Sequence, residues 1–523
     1  MPNNQREAPL APLMGWSSWN QFRQHITEEK IINNAGLLKE KGLLDAGYQY
    51  VNVDDCWQQS ARNVNGCLAF DLGRFPSDGD GLVKQLNRLG FRAGIYSSCG
   101  RFTCEDMPGS YDYEHMDAKR FIDWGFEYLK YDYCHVVDIS TDPHYKGDYF
   151  ATTTPPILSF GLVKIVGQVE EVILAKETHL TGGATLDSND AIVGLAHDEA
   201  AVTLKVTVEK EGIYPFSITY VKTPFAHRRF AQVMTKSDRV NAWFEPTSGW
   251  SDTGRVNVEL KLAAGENDIS ITNPMKGQMQ DTCYRYERMR EALDANKRED
   301  LTMYFAICEH GRTKPWEWAS LFAGSWRTTH DIHASWIGIM NCYEGNADLW
   351  SYQSPGHYND PDMLEVGVAK LSDEQALSHF ALWCMMSAPL VLGMDVAKLT
   401  EKDLAIITNQ ALIGLNQDKR LMQASRHKLT ESADLLIKPL SDNKIALCFF
   451  NKSDTPKDAS TFDFDEILPY DPRINTANMT ITGTTDLLKN VPVVTNHQQL
   501  EVPLMLPHEV KIFVVDYKDS PET

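Results

Sequence analysis

The sequence contains too few basic side chains to balance its acidic ones. Its 523 residues include 50 lysines and arginines against 71 aspartates and glutamates, a formal net charge of −21. A field of that sign repels phosphate backbones and anionic lipid headgroups. We therefore expect neither nucleic acid nor a membrane surface among its partners, while a homo-oligomer is left open.

Long apolar runs are also missing. No segment reaches the roughly 18 unbroken apolar residues that a membrane helix needs. The first residues, MPNNQRE, contain no apolar h-region, so no secretory signal is visible. The protein is expected to be secreted or periplasmic if a signal has been removed, and cytoplasmic otherwise.

Cysteines are sparse and unevenly placed. Ten cysteines are too few for a disulfide scaffold in a chain of this length, and none form CxxC pairs typical of metal sites. We predict no cofactor and no metal.

None of the ten cysteines lies between Cys134 and Cys283, which indicates that this stretch is a separate unit. At roughly 150 residues per domain, the chain is expected to hold about three domains.

Short apolar runs alternate with helical patterns through residues 12–140 and 283–400, which is typical of a parallel βα array. One helix is predicted from Thr27, whose hydroxyl can cap the first turn, to Leu44. The first four strands start roughly 35 to 43 residues apart, which leaves room for one crossover helix each, as in a (β/α)8 barrel. The eight predicted strands cover residues 13–19, 48–55, 91–98, 126–134, 302–309, 326–332, 357–364 and 389–395.

The interval between the fourth and fifth predicted strands is far too long for one βα unit. From about residue 142 to 280 the pattern changes to strand-like alternation, as in VTLKVTV at 202–208. We interpret this stretch as a β-sandwich inserted in the loop after strand four, on the catalytic face of the barrel. The predicted domains are a catalytic barrel at 1–141 and 281–410, the sandwich at 142–280, and a C-terminal antiparallel β domain at 411–523.

Two carboxylates stand late in predicted barrel strands, where side chains reach the mouth of the barrel. Asp132 stands in LKYDYC on strand four, and Asp331 stands in SWRTTHD on strand six. Two facing carboxylates suit glycoside hydrolysis, in which one attacks the anomeric carbon and the other protonates the leaving oxygen. The spacing alone is equally consistent with helix caps or loop ion pairs.

Further polar clusters end other strands. Asp54 and Asp55 end strand two and can accept hydrogen bonds from sugar hydroxyls, with Trp19 or Trp57 as an apolar platform. The alternative is a solvated acidic pair beside a core tryptophan. The oxygen-rich NDPD at 359–362 lacks the ligand ladder and the glycine of a calcium loop, so a metal site is disfavoured there.

The motifs together resemble the α-galactosidases of glycoside hydrolase family 27, in order through residues 20–140 and 283–420. The residues that carry the resemblance are MGWSSWN at 14–20, VDDCW at 53–57, GIY at 94–96, KYD at 130–132, CE at 308–309, WR at 326–327 with Asp331, and NDPDM at 359–363.

The resemblance implies a retaining α-galactosidase in which Asp132 is the nucleophile and Asp331 the general acid and base. It places Asp54 and Asp55 at the galactose 4- and 6-hydroxyls and Lys130 at the 3- and 4-hydroxyls. It also implies an apolar wall at Trp19, contacts to the 2-position from Glu309 and Arg327, further substrate contacts from Tyr96, Cys134 and Asp362, and a disulfide between Cys104 and Cys134.

Electrostatics add two expectations for this pair. Lys130 lies two residues before Asp132 on the same strand face, so its charge favours the ionised nucleophile. Asp331 must be protonated when substrate arrives, so we expect its pKa to be the higher of the two.

Some residues depart from the family pattern. His310 stands where the family usually has tryptophan, and His330 where glycine is common. Family members also act on α-N-acetylgalactosamine or β-L-arabinopyranose, which remain alternatives, as does a non-catalytic carbohydrate-binding protein. The insert faintly resembles carbohydrate-binding modules, with Trp243, Phe244 and Trp250 able either to stack on sugar or to pack in a core.

Overall fold

The computed structural model describes residues 10–136, 154–164, 171–195, 200–221, 229–244, 252–273, 277–476, 479–493 and 499–519. The chain forms two compact units, one of residues 138–284 and the other of residues 1–137 with 285–523. Trp250 and the side chain of Trp243 lie outside the described part, so their predicted roles stay predictions.

Eight short parallel strands form the larger unit's central sheet, in the order β7-β6-β5-β4-β3-β2-β1-β8. Nearly all of their residues are buried, as expected for strands that are covered on both faces. Their bounds are β1 Met14–Ser17, β2 Tyr50–Val53, β3 Arg92–Ser98, β4 Tyr128–Asp132, β5 Tyr304–Cys308, β6 Ser325–Arg327, β7 Tyr358–Asp360 and β8 Leu390–Leu392.

The sheet closes on itself. Strand β1 pairs with β8, and a parallel bridge just beyond β7 joins Leu364 to Leu392. The amide of Leu364 donates to the Val391 carbonyl at 2.8 Å. The eight predicted strands and the predicted barrel are therefore confirmed, although each observed strand is shorter than its predicted range.

Strand six marks the largest difference in bounds. We predicted a strand over residues 326–332, but β6 ends at Arg327 and Asp331 lies in the loop that follows. The prediction that Asp331 lies late in this strand is wrong. The SWR run supplies the buried strand, whereas the polar TTHD that follows has no apolar face to bury.

Helices cover the outside of the barrel strands. Thr27 caps its helix as predicted, because its hydroxyl accepts from the Lys30 amide at 3.3 Å. That helix ends at Glu40 rather than Leu44, since Gly42 adopts a left-handed φ of 76°. The described helices are Trp19–Phe22, Glu28–Glu40, Asp78–Leu89, Glu114–Trp124, Gly277–Ala295, Trp336–Asn346, Asp373–Met385, Glu401–Ile407, Gln410–Asn416 and Phe464–Ile467.

The C-terminal strands form antiparallel sheets over their own apolar core, which includes Leu435, Leu447 and Phe513. The main sheet runs in the order Ser425–Thr430, Ala433–Leu440, Lys444–Asn451, Val510–Asp519, Met479–Asp486, Val491–Pro492, and a second pairs Ser460–Asp463 with Gln499–Val502.

Polar contacts tie these sheets to the barrel helices. The buried Tyr343 hydroxyl donates to Asp434 Oδ2 at 2.9 Å, and Lys438 Nζ donates to the Cys384 carbonyl at 3.0 Å.

The second unit contains two antiparallel sheets whose buried apolar side chains form one cluster, as in a β-sandwich. Phe244 is 2% exposed and belongs to that core, so the packing alternative holds for this residue. One sheet contains Arg239–Phe244, Arg229–Met234, Gly265–Thr272, Ala201–Val208 and His179–Thr181; the other contains Thr253–Leu262, Gly212–Val221, Ile157–Leu162, Ile192–Val193, Thr185–Leu186 and Glu171–Leu174.

Within the described residues, no helix combines the length and apolar character required to span a bilayer.

Candidate active site

A pocket opens where the carboxyl ends of the barrel strands meet, the face on which barrel enzymes carry their sites. Asp132 is the last residue of β4, Asp54 and Asp55 follow β2 directly, and Arg327 is the last residue of β6. The lining side chains are Trp19, Asn20, Arg23, Asp54, Asp55, Tyr96, Cys104, Lys130, Asp132, Arg327, Asp331, Ile332, Asp362 and Met363.

Asp132 is held as a buried anion. The Tyr96 hydroxyl donates to its Oδ2 at 3.1 Å, and the Tyr133 amide donates to its Oδ1 at 2.8 Å. Burial alone would raise the pKa of this carboxyl, but hydrogen bonding from His310 and the charge of Lys130 overcome it and lower the pKa to about 2. Asp132 is therefore ionised at any pH near neutrality.

Asp331 lies on the opposite wall and is far more open, with 66% of its side chain exposed. Its Oδ1 lies 3.1 Å from Arg327 Nη2 and 3.4 Å from His310 Nδ1. Burial opposes the shift, but the charges of Arg327 and His310 lower the pKa of Asp331 below its usual value. The expectation that the pKa of Asp331 is the higher of the two stays a prediction, and the direction of this shift favours the carboxylate form.

Lys130 and Asp54 form an ion pair at the base of the pocket. Lys130 Nζ lies 3.0 Å from Asp54 Oδ2, which also accepts from the Ser17 hydroxyl at 3.2 Å. Burial would lower the pKa of Lys130, but the charges of Asp54, Cys308 and Asp132 raise it well above its usual value. Lys130 thus remains a cation that faces both Asp54 and the nucleophile candidate.

Asp55 differs from its neighbour in its environment. It is 1% exposed, and burial raises its pKa to about 6. Its Oδ2 accepts from the Glu105 amide at 3.2 Å, which links β2 to the loop that carries Cys104. The carboxyl therefore faces the pocket from a fixed position.

The two tryptophans that were candidate platforms for a sugar ring lie in different environments. Trp19 lines the pocket, and Arg23 Cζ lies 5.3 Å from its ring centroid. Trp57 is 0% exposed and packs among Phe70, Phe121 and Trp124. The suggestion that Trp57 stacks on sugar is wrong, because its ring is fully buried in the core.

Arg327 and Asp362 join the walls formed by β6 and β7. Arg327 Nη2 lies 2.8 Å from Asp362 Oδ2, which also accepts from the Ile332 amide at 2.8 Å. The Ile332 contact fixes the chain next to Asp331, so Asp362 positions the loop that carries the acid candidate.

Glu309 does not contribute to the pocket lining. Its side chain is buried, and Oε2 accepts from the Thr313 amide at 2.9 Å and from the Thr313 hydroxyl at 3.2 Å. Burial raises its pKa to about 8. In this arrangement Glu309 stabilises the turn that carries His310, and a contact with the sugar 2-position stays a prediction.

A wider cavity of about 650 Å³ adjoins the pocket on its outer side, and the two share Cys104 and Asp331. Cys104 and Cys134 are joined by a disulfide, as the family resemblance implied. Cys134 thus faces this outer cavity rather than the inner pocket. The remaining lining residues are Tyr133, His135, Val136, His310, Arg312, His330 and His333.

Four further side chains line the inner pocket, although we did not predict them as site residues: Asn20, Arg23, Ile332 and Met363. Asn20 and Met363 are the last residues of the motifs MGWSSWN and NDPDM, Arg23 follows the first motif, and Ile332 adjoins Asp331. The matched motifs were therefore the available signal.

Within the described part of the chain, two groups of three side chains of the types that can bind a metal come close together. One group comprises Asp132, Cys308 and His310, and a second joins Asp132 to the disulfide-bonded Cys104 and Cys134. The oxygen-rich segment at 359–362 is instead occupied structurally, since Asn359 Oδ1 accepts from Trp326 Nε1 at 2.8 Å.

The family model described as Alpha galactosidase A matches residues 11–151 and 271–418, more than half of the chain. The chain belongs to this family. The predicted membership of glycoside hydrolase family 27 is thereby confirmed.

Individual relatives agree. The chain is 27% identical over 470 residues to Alpha-galactosidase A of Cellvibrio japonicus, which covers 88% of this chain and 80% of that protein. It is also 27% identical over 445 residues to Alpha-galactosidase 2 of Arabidopsis thaliana, with coverage of 85% and 76%. The solved structure of alpha-galactosidase I from Mortierella vinacea has the same fold at 22% identity, with a TM-score of 0.65 over 99% of this chain and 100% of that one.

Proposed function

We propose that the protein is a retaining α-galactosidase, which releases terminal α-linked galactose from oligosaccharides or glycoconjugates. The observation that carries the proposal is that Asp132 and Asp331, remote in sequence, both lie within 3.5 Å of one imidazole ring at the barrel mouth. Retaining glycosidases need two carboxyl groups that flank the scissile bond at a separation of about 5–5.5 Å. A pair that one ring can bridge supports such an arrangement.

The first chemical step uses the contrast between the two carboxyls. Asp132, which is buried and has a pKa of about 2, attacks C1 of the galactose as an anion. Asp331 lies at the junction with the outer cavity and protonates the glycosidic oxygen as the leaving group departs. In the second step, Asp331 removes a proton from water, which attacks C1 and releases galactose with its configuration retained.

The inner pocket supplies polar groups for one sugar ring. Asp54 and Asp55 accept hydrogen bonds from the 4- and 6-hydroxyls, and Lys130 donates to the 3- and 4-hydroxyls. Trp19 covers an apolar face of the ring. Arg327 and Glu309 are proposed as contacts to the 2-position, and Tyr96 and Asp362 hold the two catalytic walls in place. Cys134 is proposed to border the leaving group.

The test is hydrolysis of an aryl α-galactoside by the intact chain and by two isosteric variants. We expect Asp132→Asn to abolish turnover. Asp331→Asn is expected to reduce turnover of natural galactosides, with their poor leaving groups, far more than that of an activated aryl galactoside in the first step. Equal losses on both substrates would contradict the assignment of Asp331.

A substrate panel distinguishes the alternatives. We expect hydrolysis of aryl α-galactoside to exceed that of the α-N-acetylgalactosaminide and the β-L-arabinopyranoside, because the Asp54–Asp55 pair suits a sugar with a hydroxymethyl group. A preference for either of the other two would reassign the substrate. No release from any of the three would favour a non-catalytic carbohydrate-binding protein.

We also propose the domain division 1–141 with 281–410, 142–280 and 411–523, with the middle unit a carbohydrate-binding-module-like insert. The compact sandwich core of the 138–284 unit supports an independent fold for this stretch. Affinity electrophoresis of full-length Asp132→Asn protein with galactose-containing polysaccharide tests binding outside the catalytic pocket. Retardation that free galactose fails to abolish supports the module, and retardation abolished by galactose argues against it.

A further inference from the structure

Three side chains that carry metal-ligating atoms meet beside the inner pocket. Cys308 ends β5 and is the register partner of Asp132, which ends β4, so both side chains leave the sheet at the same level. His310 follows Cys308 by two residues. One ligand atom from each of the three residues lies within 4.8 Å of the other two. A thiol, an imidazole and a carboxylate are the donor types that Zn²⁺ favours.

The spacing of the donor atoms is close to that of a tetrahedral zinc site. His310 Nε2 lies 3.5 Å from Asp132 Oδ1 and 4.0 Å from Cys308 Sγ. Zinc bonds of about 2.0–2.1 Å to nitrogen or oxygen and about 2.3 Å to sulfur, at tetrahedral angles, separate such pairs by about 3.3 and 3.6 Å. Small side-chain shifts therefore bring these two pairs to bonding geometry, and three protein ligands leave the fourth position to water.

The imidazole is held in the orientation that a zinc ligand needs. His310 Nδ1 lies 3.4 Å from Asp331 Oδ1. A carboxylate next to the far nitrogen of a ligating histidine fixes the ring and directs its other nitrogen at the metal. The backbone of this turn is also fixed, because His310 has a left-handed φ of 62° and a Cβ at Gly311 would lie 2.2 Å from the Thr328 carbonyl oxygen.

Two neighbouring cations bear on metal binding in opposite ways. Burial raises the pKa of the Cys308 thiol, and the charges of Arg327 and Lys130 act against that rise. Arg327 Nη1 also donates to Cys308 Sγ at 3.6 Å, which supports a thiolate. Both cations repel a metal ion, but each has its own carboxylate partner, since Lys130 Nζ lies 3.0 Å from Asp54 Oδ2 and Arg327 Nη2 lies 2.8 Å from Asp362 Oδ2. Their repulsion is therefore largely compensated.

We propose that Asp132, Cys308 and His310 form an inhibitory Zn²⁺ site. Metal binding follows from the ligand geometry, whereas the inhibition rests on the proposed galactosidase function. Binding releases the thiol proton to solvent and attaches Asp132 Oδ1 to the metal. A carboxylate that shares its charge with zinc is a poor nucleophile towards C1, so hydrolysis stops until the metal leaves. Zinc supplies no step of the reaction here and acts as a regulator.

His310 makes this site particular to the chain. It stands where the family usually has tryptophan. The indole nitrogen of tryptophan is a donor only and has no lone pair to offer a metal. A relative with tryptophan at this position therefore lacks the third ligand, and we do not expect zinc to inhibit it through this group.

The first experiment measures zinc inhibition of the full chain after treatment with chelator. Hydrolysis of an aryl α-galactoside is followed against zinc concentration, and each variant is compared with its own zinc-free rate. Zinc is expected to inhibit the intact chain, and added chelator to restore the rate. Cys308→Ser and His310→Gln are each expected to raise the zinc concentration for half inhibition by more than about 100-fold, since loss of an outer-shell partner alone costs about 10–100-fold in affinity.

Matched controls separate this site from general thiol or histidine effects. Cys342→Ser removes another buried thiol, and His330→Gln removes another histidine near the barrel mouth. Neither residue belongs to the proposed ligand set, so both variants are expected to keep the zinc sensitivity of the intact chain. Inhibition that is unchanged in Cys308→Ser and His310→Gln would overturn the inference.

Titration with cobalt(II) tests the ligands without relying on activity. Cobalt(II) accepts the tetrahedral donors of zinc, and bonding to a thiolate gives a near-ultraviolet charge-transfer band. We expect this band in the intact chain, its loss in Cys308→Ser and its displacement by zinc. Asp331→Asn, which removes the carboxylate beside Nδ1, is expected to keep the band and to weaken cobalt binding by about 10-fold. Absence of the band in the intact chain would overturn the inference.

The two proposals fail in different ways. A chain that hydrolyses no galactoside but binds cobalt(II) through Cys308 would overturn only the proposed function. An active chain that zinc does not inhibit would overturn only the inhibitory site. Because the ligands border the sugar pocket, galactose is expected to compete with zinc, and inhibition that is independent of galactose would place the metal elsewhere and contradict the site.

Discussion

Replacing Lys130 with methionine removes the cation at the base of the pocket while keeping the length of the side chain. Asp54 is 3% exposed and has Lys130 Nζ at 3.0 Å from its Oδ2. In the variant, the Ser17 hydroxyl still donates to that oxygen, but the cation is removed. A buried carboxylate then lacks its compensating charge.

The expected loss of unfolding free energy is about 3 kcal/mol. Breaking a buried ion pair by removing one partner costs about 3–5 kcal/mol. The lower end applies because 20% of the Lys130 side chain is exposed and the remaining hydrogen bonds to Asp54 persist. The pKa of Asp132, which Lys130 helps to lower to about 2, is expected to rise at the same time.

The assay is a double-mutant cycle of Lys130→Met and Asp54→Asn, with urea unfolding followed by the fluorescence of the 12 tryptophans. The double variant is expected to be more stable than the sum of the single effects predicts, with a coupling of about 1–3 kcal/mol. Strictly additive single effects would refute the view that these two charges stabilise each other.

Other predictions concern stability elsewhere in the same unit. Tyr343→Phe leaves buried Asp434 without the hydrogen bond of 2.9 Å and should cost about 1–3 kcal/mol in urea, whereas the same change at the 47% exposed Tyr470 should cost almost nothing. Equal effects would contradict the role of that contact. Reducing the Cys104–Cys134 disulfide, which spans 30 residues, should cost about 3–4 kcal/mol, and an unchanged urea midpoint would contradict it. Because the folded pKa of Asp132 is about 2 and its ordinary value is 3.8, its contribution is complete above pH 3.8 and is lost as the pH falls towards 2. The free energy of urea unfolding of Asp132→Asn should therefore depend less on pH over that interval than that of the intact chain, and identical profiles would contradict the depressed pKa.

Much of the barrel could be predicted because its strands are buried on both faces. Runs such as YVNV in β2 and YFAIC in β5 are mostly apolar and short, and they recur at intervals that fit one helix. Asp132 was predicted correctly at the end of such a run. Asp331 was not, because its distance beyond β6 is set by long-range contacts such as that of Asp362 with Ile332, which no local pattern encodes.

The direction in which side chains point was the other feature that could not be predicted from the sequence. Trp19 and Trp57 both follow a barrel strand, and only the packing of Phe70 and Trp124 buries the second. Glu309 matched a family motif, yet its carboxylate binds Thr313 four residues later. His310 could be noticed as a departure from the family, but its position between the carboxylates depends on the left-handed turn that the fold imposes.

The stereochemistry of the first product tests the central claim most directly. Double displacement through Asp132 and Asp331 predicts that ¹H NMR detects α-galactose as the first anomer released from an aryl α-galactoside, before mutarotation. Initial release of β-galactose would mean a single displacement by water and would contradict the nucleophilic role of Asp132.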